Sequence, residues 1–447
     1  MRHSKAFSIF VAVVFAASIL GAVSITIRAQ TNQQQSGARN RAPVSPLEVG
    51  FSSQRLERLD AAVQGVVDRK QLSGAVIALA RHGKVVEFKS FGKKDMATGM
   101  PMTNDTIFRV FSMSKPITST AMMILYEEGR WNPEDPIAKY IPEFAHLKVF
   151  AGYDRSGKMI LEDPVHPPTM RELMTHTAGF TYGFFAHDPV DKMYLEQHVL
   201  ESPSLQAMID KLANIPLLYQ PGTQWVYSLS VDIQGYLVQK LSGMPLADFM
   251  RERIFKPLGM KDTGFYVPSS QWSRLATLYG VSKDGALIPY SGPLNIDFSK
   301  PPSLPSGGGG LVSTASDYLR FAQMLLNGGE LNGTRILAPA TVKLMSSNHL
   351  HANLMTGQFG IGVQHIRPGF GYGYDMAVFT DPALADNPVG KGTFLWDGAA
   401  GTWFWVDPQY DIVFVGMIQR MGSIPAMPNM EVLSRATVYQ ALVNPDK

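Results

Sequence analysis

The tetrapeptide Ser-Met-Ser-Lys at 112–115 opens an apolar stretch whose spacing predicts a helix. A serine hydroxyl is a weak nucleophile at neutral pH and needs a base beside it. Residues three positions apart share one face of a helix, so Lys115 can reach back to Ser112. Pro116 falls in the first turn, where its missing N–H costs nothing. The pattern therefore predicts an activated serine at a helix start, where its own backbone N–H can help to bind an oxyanion.

A second match to Ser-x-x-Lys, from Ser90 to Lys93, lies in a different context. It continues a strand-like run that begins at Val85, and Gly92 favours a turn. On a strand or a turn the side chains of Ser90 and Lys93 would not converge. We therefore interpret Ser90 as structural and Ser112 as the candidate nucleophile.

The composition excludes several classes of function. The net charge of +3 is too small for 447 residues to indicate a nucleic-acid partner. Cysteine is absent, so the fold has no disulfide, no thiol nucleophile and no thiolate metal site. His349 and His351 lack a clear carboxylate partner, and the glycines at 307–310 lack the Lys-Ser/Thr of a phosphate loop. We therefore expect no metal and no cofactor.

The N-terminus has the layout of a secretory signal peptide. Arg2, His3 and Lys5 precede an uncharged run from 6 to 27, and small residues follow at possible cleavage points. We predict a signal peptide at 1–29 and a disordered linker at 30–45, and hence an exported protein that is periplasmic or secreted. The uncharged run approaches the length of a membrane span. An uncleaved N-terminal anchor is therefore the alternative, and it is the only membrane contact that we expect.

Strand patterns lie at both ends of the remaining chain, and helical patterns lie between them. Residues 74–80 and 85–91 predict two strands joined by a tight turn, and residues 402–415 predict a C-terminal hairpin with a proline turn. This order predicts an α+β fold, with an antiparallel sheet from both termini flanked by helices and an inserted, mainly helical lobe. The catalytic domain would span 46–447. Its sheet lobe would comprise about 46–110 and 301–447, and its helical lobe about 111–300.

Two further elements follow the Ser-x-x-Lys pattern along the chain. The first is Tyr227-Ser228-Leu229, before a helical stretch, and the second is Trp396-Asp397-Gly398-Ala399, on the strand before the C-terminal hairpin. Class A β-lactamases and penicillin-binding proteins carry Ser-x-x-Lys, a Ser-x-Asn type element and a Lys-Thr-Gly strand in this order. The chain contains no Gly-x-Ser-x-Gly, so the nucleophile elbow of an α/β-hydrolase is missing.

With this set of motifs the chain resembles the serine β-lactamase-related superfamily, and within it family VIII carboxylesterases and class C β-lactamase-like proteins most closely. The resemblance runs from about Gly74 to Ile418 and implies the fold of β-lactamases and penicillin-binding proteins. The stretches that carry it are 108–115 (Phe-Arg-Val-Phe-Ser-Met-Ser-Lys), 173–179 (Leu-Met-Thr-His-Thr-Ala-Gly), 309–314 (Gly-Gly-Leu-Val-Ser-Thr) and 400–408 (Ala-Gly-Thr-Trp-Phe-Trp-Val-Asp-Pro).

The resemblance implies a role for each catalytic residue. Ser112 would be the acylated nucleophile, and Lys115 would take its proton or shape its field. Tyr227 would activate the serine and later protonate the leaving group, and the backbone N–H groups of Ser112 and Ala399 would form the oxyanion hole. Tyrosine ordinarily titrates near 10, so the ammonium must lower the pKa of Tyr227 if it is to act as a base. The sequence does not decide which of Lys115 and Tyr227 holds the proton.

Two departures from the β-lactamase pattern bear on the substrate. Leu229 stands where β-lactamases have the Asn that contacts the substrate amide. Trp396-Asp397-Gly398 replaces the Lys-Thr-Gly strand that gathers the substrate carboxylate. Many family VIII esterases carry Trp-Gly-Gly there, so Trp396 fits them and Asp397 is unusual. Asp397 could contact the substrate or pair with a nearby base such as Lys391. Both departures disfavour anionic β-lactams.

Other aromatic residues and one histidine are weaker candidates. Tyr182, Phe184 and Phe185 could line the acyl pocket or anchor a loop in the core. We expect His176 to cap or brace the end of a helix.

Together these features predict an exported serine hydrolase that works through an acyl-enzyme on a small-molecule ester or amide. A carboxylesterase acting on neutral esters is the favoured function. The alternatives are a D-amino-acid peptidase or amidase, a weak β-lactamase, and a non-catalytic protein that binds β-lactams or peptidoglycan.

Overall fold

The computed structural model describes residues 43–184, 188–355, 368–424 and 427–447. The predicted signal peptide, the predicted linker up to residue 42, and Phe185 lie outside these ranges. Near the predicted linker end at 45, the backbone N–H of Val44 donates a hydrogen bond of 2.9 Å to the carbonyl of Val85. The chain is therefore already held by backbone pairing at Val44. Within the described ranges, no helix has both the length and the apolar character needed to cross a membrane.

Fifteen strands occur in the described part of the chain. They are β1 (Gly74–Arg81), β2 (Lys84–Gly92), β3 (Phe108–Arg109), β4 (Val149–Tyr153), β5 (Met159–Glu162), β6 (Tyr279–Val281), β7 (Leu287–Pro289), β8 (Val312–Ser313), β9 (Glu330–Leu331), β10 (Thr334–Arg335), β11 (Phe370–Tyr372), β12 (Ala377–Phe379), β13 (Phe394–Asp397), β14 (Trp403–Asp407) and β15 (Ile412–Met417).

The α-helices of the same ranges are α1 (Ser53–Asp68), α2 (Ser114–Glu127), α3 (Met170–Met174), α4 (Pro189–Glu196), α5 (Leu205–Leu212), α6 (Ser230–Ser242), α7 (Leu246–Met250), α8 (Lys256–Leu258), α9 (Ala315–Leu326), α10 (Pro339–Met345), α11 (Ala352–Met355) and α12 (Met430–Tyr439). A π-helical turn at Arg251–Phe255 joins α7 to α8. Short 3-10 turns occur at Pro46–Val49, Phe111–Met113, Ile137–Lys139, Pro142–Phe144, Val199–Glu201 and Ser269–Arg274.

The main sheet is antiparallel and contains strands from both ends of the chain. Its order is β11-β12-β13-β14-β15-β1-β2, so the C-terminal strand β15 pairs with the N-terminal strand β1. These hydrogen bonds join the N-terminal and C-terminal parts of the described chain in one sheet. The predicted α+β fold, with a sheet built from both termini, is therefore confirmed.

Helices cover both faces of this sheet, which explains its continuous apolar strands. Every residue of β1, β14 and β15 is buried. On one face, the indole N–H of Trp403 donates to Ser434 of α12, 3.1 Å away. On the other face, the ring of Phe404 packs against Tyr318 of α9, with ring centroids 5.0 Å apart. Adjacent residues of β14 thus point to opposite helical layers, as the period of a strand requires.

The helices of the central part of the chain form where the sequence carries start and stop signals. Thr169 and Glu172 form a reciprocal capping box at the start of α3. Gly243, with φ +73°, ends α6 in the left-handed conformation that glycine adopts at low cost. Helix α6 packs against α2 and α3. This packing brings the segment before α6, which contains Tyr227, towards the start of α2.

Candidate active site

Ser112 lies on a strained turn between strand β3 and helix α2. The residue before it, Phe111, has φ +43°, an unfavourable value for a bulky side chain. Buried contacts with Leu278 and Ala400 hold the Phe111 ring in place. Ser112 itself lies in the 3-10 turn at 111–113 and is partly exposed, whereas the residues on both sides of it are buried. Packing around Phe111 therefore presents the Ser112 hydroxyl at an accessible position.

Lys115 is fully buried and directed at Ser112. Its Nζ lies 3.2 Å from the Oγ of Ser112, the reach that the i, i+3 spacing predicts. It also donates to the carbonyl of Gly308 at 2.7 Å and to the hydroxyl of Tyr182 at 3.2 Å. Three oxygen acceptors therefore fix the position of this amine.

Tyr227 approaches Ser112 from the helical part of the chain. Its hydroxyl donates a hydrogen bond of 2.7 Å to the Oγ of Ser112. Its ring packs among His176, Tyr182 and Trp396, with centroid distances of 5.2, 5.3 and 5.7 Å. These contacts fix the plane of the phenol, so its oxygen stays aimed at the serine. The structure thus brings together the three residues that the sequence predicts to be catalytic.

Burial moves the pKa values of Lys115 and Tyr227 in opposite directions. It lowers the pKa of the Lys115 ammonium to about 8, although the charges of Asp232, Asp375 and Asp397 act against this shift. It raises the pKa of Tyr227 well above its ordinary value near 10. A base role for Tyr227 requires the reverse shift. The environment therefore makes Lys115 the better proton acceptor and keeps Tyr227 protonated as a donor.

The end of strand β13 lies against the turn that carries Ser112. Gly398 is buried there, and a Cβ at this position would lie only 2.3 Å from the carbonyl oxygen of Val110. Only glycine permits so close an approach. Ala399 follows and is exposed, whereas Asp397 is partly exposed. The open side of the site therefore includes Ser112, Asp397 and Ala399.

Asp397 acts electrostatically on the candidate catalytic groups. Its charge raises the pKa of both Lys115 and Tyr227. The effect on each pKa is reduced by solvent screening, because Asp397 is partly exposed. Asp397 therefore contributes negative charge to the site.

The side chains of the other residues predicted to contact the substrate differ in their exposure to solvent. Leu229 and Trp396 have 0% and 1% of their surface exposed, so neither side chain is presented to a substrate in this structure. Tyr182 is also nearly buried, and its ring stacks on Phe184 at 4.2 Å between centroids. The Phe184 side chain is 46% exposed and provides an apolar surface beside the Tyr182–Lys115 contact.

Ser90 remains on strand β2, where its side chain is exposed. Its strand neighbour Lys89 pairs with Asp60 and Glu87. Gly92 has φ +69° at the end of the strand, as the turn prediction requires. This local structure differs from the helix start at Ser112.

His176 follows the end of α3, and its ring packs against the ring of Tyr227. Its Nδ1 lies 2.9 Å from the hydroxyl of Ser228, and its Nε2 lies 3.7 Å from the Oδ1 of Asp375. Burial and the charge of Lys115 hold the pKa of His176 well below its ordinary value, so this histidine is neutral. The neighbouring Asp375, like Gly308, was not among the candidates from the sequence.

Asp232 is the most informative residue that the sequence reasoning missed. It is fully buried on α6, and its Oδ1 accepts hydrogen bonds from Ser306 and from the N–H of Gly308. The available signal was an acidic residue between two β-branched apolar residues, Val231 and Ile233, shortly after the Tyr227 element. Buried carboxylates are rare unless they are paired, which is the physical reason to single it out.

The arrangement contains the parts needed for acyl transfer. Ser112 offers an accessible oxygen, the amine of Lys115 is within proton-transfer distance, and the hydroxyl of Tyr227 can donate a proton at the same oxygen. The backbone of the turn at 111–113 and the exposed residue Ala399 lie where an oxyanion could be bound.

Comparisons with known proteins agree with this chemistry. The sequence model of the family described as Beta-lactamase matches residues 59–438. Protein Rv1367c of Mycobacterium tuberculosis is 37% identical over 372 residues, 81% of this chain and 90% of that protein. Esterase EstB of Burkholderia gladioli is 32% identical over 366 residues, 78% of this chain and 86% of its own. The solved structure of EstCE1, a hydrolase with promiscuous acyltransferase activity, superposes with a TM-score of 0.71 at 28% identity, over 86% of this chain and 99% of that chain.

Proposed function

The chain belongs to the beta-lactamase family and is a serine hydrolase of the carboxylesterase type, and we propose that it hydrolyses neutral esters through an acyl-enzyme on Ser112. One observation carries the proposal: Lys115 and Tyr227 converge on the Oγ of Ser112, at 3.2 and 2.7 Å. The family membership confirms the superfamily predicted from the sequence motifs.

The proposed reaction has two halves. In the first, Ser112 Oγ attacks the ester carbonyl while its proton passes to the neutral amine of Lys115. The backbone N–H groups of Ser112 and Ala399 stabilise the oxyanion. The C–O bond to the alcohol then breaks, Tyr227 supplies the proton that the alcohol carries away, and the Lys115 ammonium returns a proton to Tyr227. In the second half, neutral Lys115 takes a proton from the water that attacks the acyl carbon. The bond from that carbon to Ser112 Oγ then breaks, and Lys115 returns the proton to Oγ as the acid departs.

Fluorophosphonate labelling tests the nucleophile. We expect the probe to label Ser112 alone, and Ser112→Ala to abolish both labelling and turnover of a p-nitrophenyl ester. Ser90→Ala is the matched control, because it removes the serine of the second Ser-x-x-Lys and should leave activity near that of the parent. An active Ser112→Ala enzyme would overturn the proposal. A single stoichiometric burst of product from the parent would identify a binding protein instead.

The preference for neutral substrates rests on charge. A substrate carboxylate about 6 Å from Asp397, at an effective dielectric of about 20, would be repelled by about 3 kcal/mol, or on the order of a hundredfold in binding. Leu229 cannot supply an amide hydrogen bond, which is worth about 1 kcal/mol. The similarity to esterase EstB supports esters as the substrate class. Penicillins and cephalosporins, which carry a carboxylate, should therefore be poor substrates.

The ratio of kcat/KM for a neutral p-nitrophenyl ester to that for a chromogenic cephalosporin tests this preference. Asp397→Gly should lower this ratio, mainly by raising kcat/KM for the cephalosporin. High salt should lower the ratio of the parent enzyme by a smaller amount, because salt screens the charge of Asp397. Asp411→Gly is the control, because it makes the same change in the turn between β14 and β15, where φ is +55° and glycine fits. A parent that cleaves both substrates equally well, or a ratio unaffected by Asp397→Gly, would show that Asp397 serves a structural ion pair.

We also propose that the protein is exported. The support is the charged start of the chain, followed by the uncharged run at 6–27. Export would place the enzyme where it meets exogenous esters.

A further inference from the structure

Lys115 carries its amine in an environment that strongly disfavours charge. The side chain is fully buried, and in the described part of the chain its Nζ is hydrogen-bonded to the oxygens of Ser112, Tyr182 and Gly308. It also lies over the rings of Tyr182 and Tyr227, 5.1 and 4.6 Å from their centroids. A buried ammonium without a counter-charge is strongly destabilised. If the amine is to cycle between charged and neutral forms during turnover, the protein must supply a nearby negative charge.

Asp232 supplies such a charge through a single intervening residue. Gly308 directs its carbonyl to Lys115 Nζ at 2.7 Å and its N–H to Asp232 Oδ1 at 3.2 Å. The hydroxyl of Ser306 donates to the same Oδ1. The buried cation and the buried carboxylate thus lie on either side of one glycine.

The glycine run at 307–310 makes this arrangement possible. A Cβ on Gly308 would lie 2.7 Å from Asp232 Oδ2 and 3.0 Å from the Tyr182 hydroxyl. A Cβ on Gly307 would lie 2.5 Å from the carbonyl oxygen of Val231. Glycine at these positions lets the backbone enter between α2 and α6, where it can bond to both charged side chains. The role of the run is therefore to bring a peptide group to Lys115, in addition to forming a turn.

We propose that Asp232 is a positioning residue for the general base: it is the buried counter-charge of Lys115 and, through Gly308, holds the amine against Ser112. This inference rests on the proposed acyl-enzyme function and names the residue that sets the working pH of its base.

The other groups that face Lys115 leave Asp232 as its principal buried counter-ion. His176 is neutral, and Tyr182 and Tyr227 remain protonated because burial raises the pKa of each phenol. These three side chains therefore contribute hydrogen bonds and packing but no net charge.

The two further carboxylates differ from Asp232 in their solvation. Asp375 accepts one long hydrogen bond, 3.3 Å from Gln234, and burial raises its pKa well above the ordinary value, so its charged form is poorly stabilised. Asp397 is partly exposed, so solvent screens its charge. Burial also raises the pKa of Asp232, but Ser306, Lys115 and Gly308 act against that shift.

The pH dependence of catalysis provides the test. Neutral Lys115 is the base, so kcat/KM of the parent should rise with pH through about 8, the value to which burial lowers the lysine pKa. Asp232→Asn keeps the size of the side chain and an oxygen acceptor for Ser306 and Gly308, but it removes the charge. Loss of a nearby negative charge lowers the pKa of Lys115 further. The rising, acidic limb of the plot of kcat/KM against pH should therefore move to lower pH by about one unit. The pH dependence of fluorophosphonate labelling should move in parallel.

Asp317→Asn is the matched control. Asp317 is also a nearly buried aspartate held by a backbone N–H and a hydroxyl, but its hydrogen bonds come from Asp262 and Thr263. Its charge is not among those that act on Lys115. The acidic limb of this variant should therefore coincide with that of the parent.

Asp232→Ala separates positioning from charge. It should give the same shift of the limb and, in addition, a lower plateau, because nothing then holds the N–H of Gly308. If Asp232→Asn does not fold, Ser306→Ala decides the question. Removal of one hydrogen-bond donor destabilises the ionised form of the Asp232 carboxylate, so the acidic limb should shift in the same direction by a smaller amount.

A folded Asp232→Asn enzyme with the parent limb would overturn the inference, and so would an equal shift in Asp317→Asn. Either result leaves the proposed function intact as long as Ser112 is still labelled. Turnover that survives Ser112→Ala would instead remove the proposed function itself, so the two failures are distinguishable.

Discussion

Replacing Tyr227 with phenylalanine should slow the cleavage of simple alkyl esters far more than the cleavage of p-nitrophenyl esters. The hydroxyl of Tyr227 lies 2.7 Å from Ser112 Oγ. In the tetrahedral intermediate the alcohol oxygen is bonded to the same carbon as Oγ, so this hydroxyl would be close enough to protonate it. Burial keeps this phenol protonated, so its contribution is a proton for the leaving group. An alkoxide needs that proton, whereas p-nitrophenolate leaves readily as an anion.

The expected loss follows from the single proton transfer that the variant lacks. Positioned proton donors contribute about a hundred- to ten-thousand-fold, or about 3 to 5 kcal/mol of activation free energy. We expect a loss in this range for an ethyl or butyl ester and a much smaller loss for the p-nitrophenyl ester of the same acid. The ring contacts with His176, Tyr182 and Trp396 persist in the variant, so its thermal unfolding should change little.

The assay compares kcat and kcat/KM for the two esters in the parent and in Tyr227→Phe. Tyr372→Phe is the control, because it makes the same change in the same aromatic cluster, where the Tyr372 hydroxyl has no hydrogen-bond partner among the described residues. It should behave like the parent. Lys115→Met should slow both esters equally, since base action at Ser112 precedes loss of any leaving group. Equal losses for both esters in Tyr227→Phe would refute the donor role and point to Tyr227 as the base.

Three further outcomes can be checked separately. The parent enzyme should show kcat/KM rising with pH through about 8 for neutral esters, because only the deprotonated Lys115 accepts a proton; a flat profile between pH 6 and 9 would contradict this. Gly398→Ala should lower the free energy of unfolding by about 1 to 3 kcal/mol and should also reduce activity, because its Cβ would lie 2.3 Å from the Val110 carbonyl oxygen. A melting temperature equal to that of the parent would count against this close approach. N-terminal sequencing of protein from the native host should find a start between about Ile25 and Gln30, whereas intact residues 1–24 in a membrane fraction would favour the anchor.

Local patterns in the sequence were sufficient for the elements that carry the site. The i, i+3 spacing placed Lys115 over Ser112, and the structure has their Nζ and Oγ 3.2 Å apart. Strand patterns at both ends indicated the shared sheet, and β1 does pair with β15. These features depend on periodicity and on short-range geometry, which a sequence displays directly. The Tyr227 element required the family resemblance as well, because 115 residues separate it from Ser112.

The tertiary structure alone determined the electrostatics of the site and the accessibility of its walls. Leu229 could have faced a substrate, but helix packing encloses it completely. Whether Lys115 or Tyr227 holds the proton was open in the sequence, because burial of both groups sets their pKa values. The bond from Lys115 to Gly308 joins residues 193 positions apart, and Asp232 becomes part of the site only through that glycine. Solvation and charge are sums over neighbours in space, so only the folded chain specifies them.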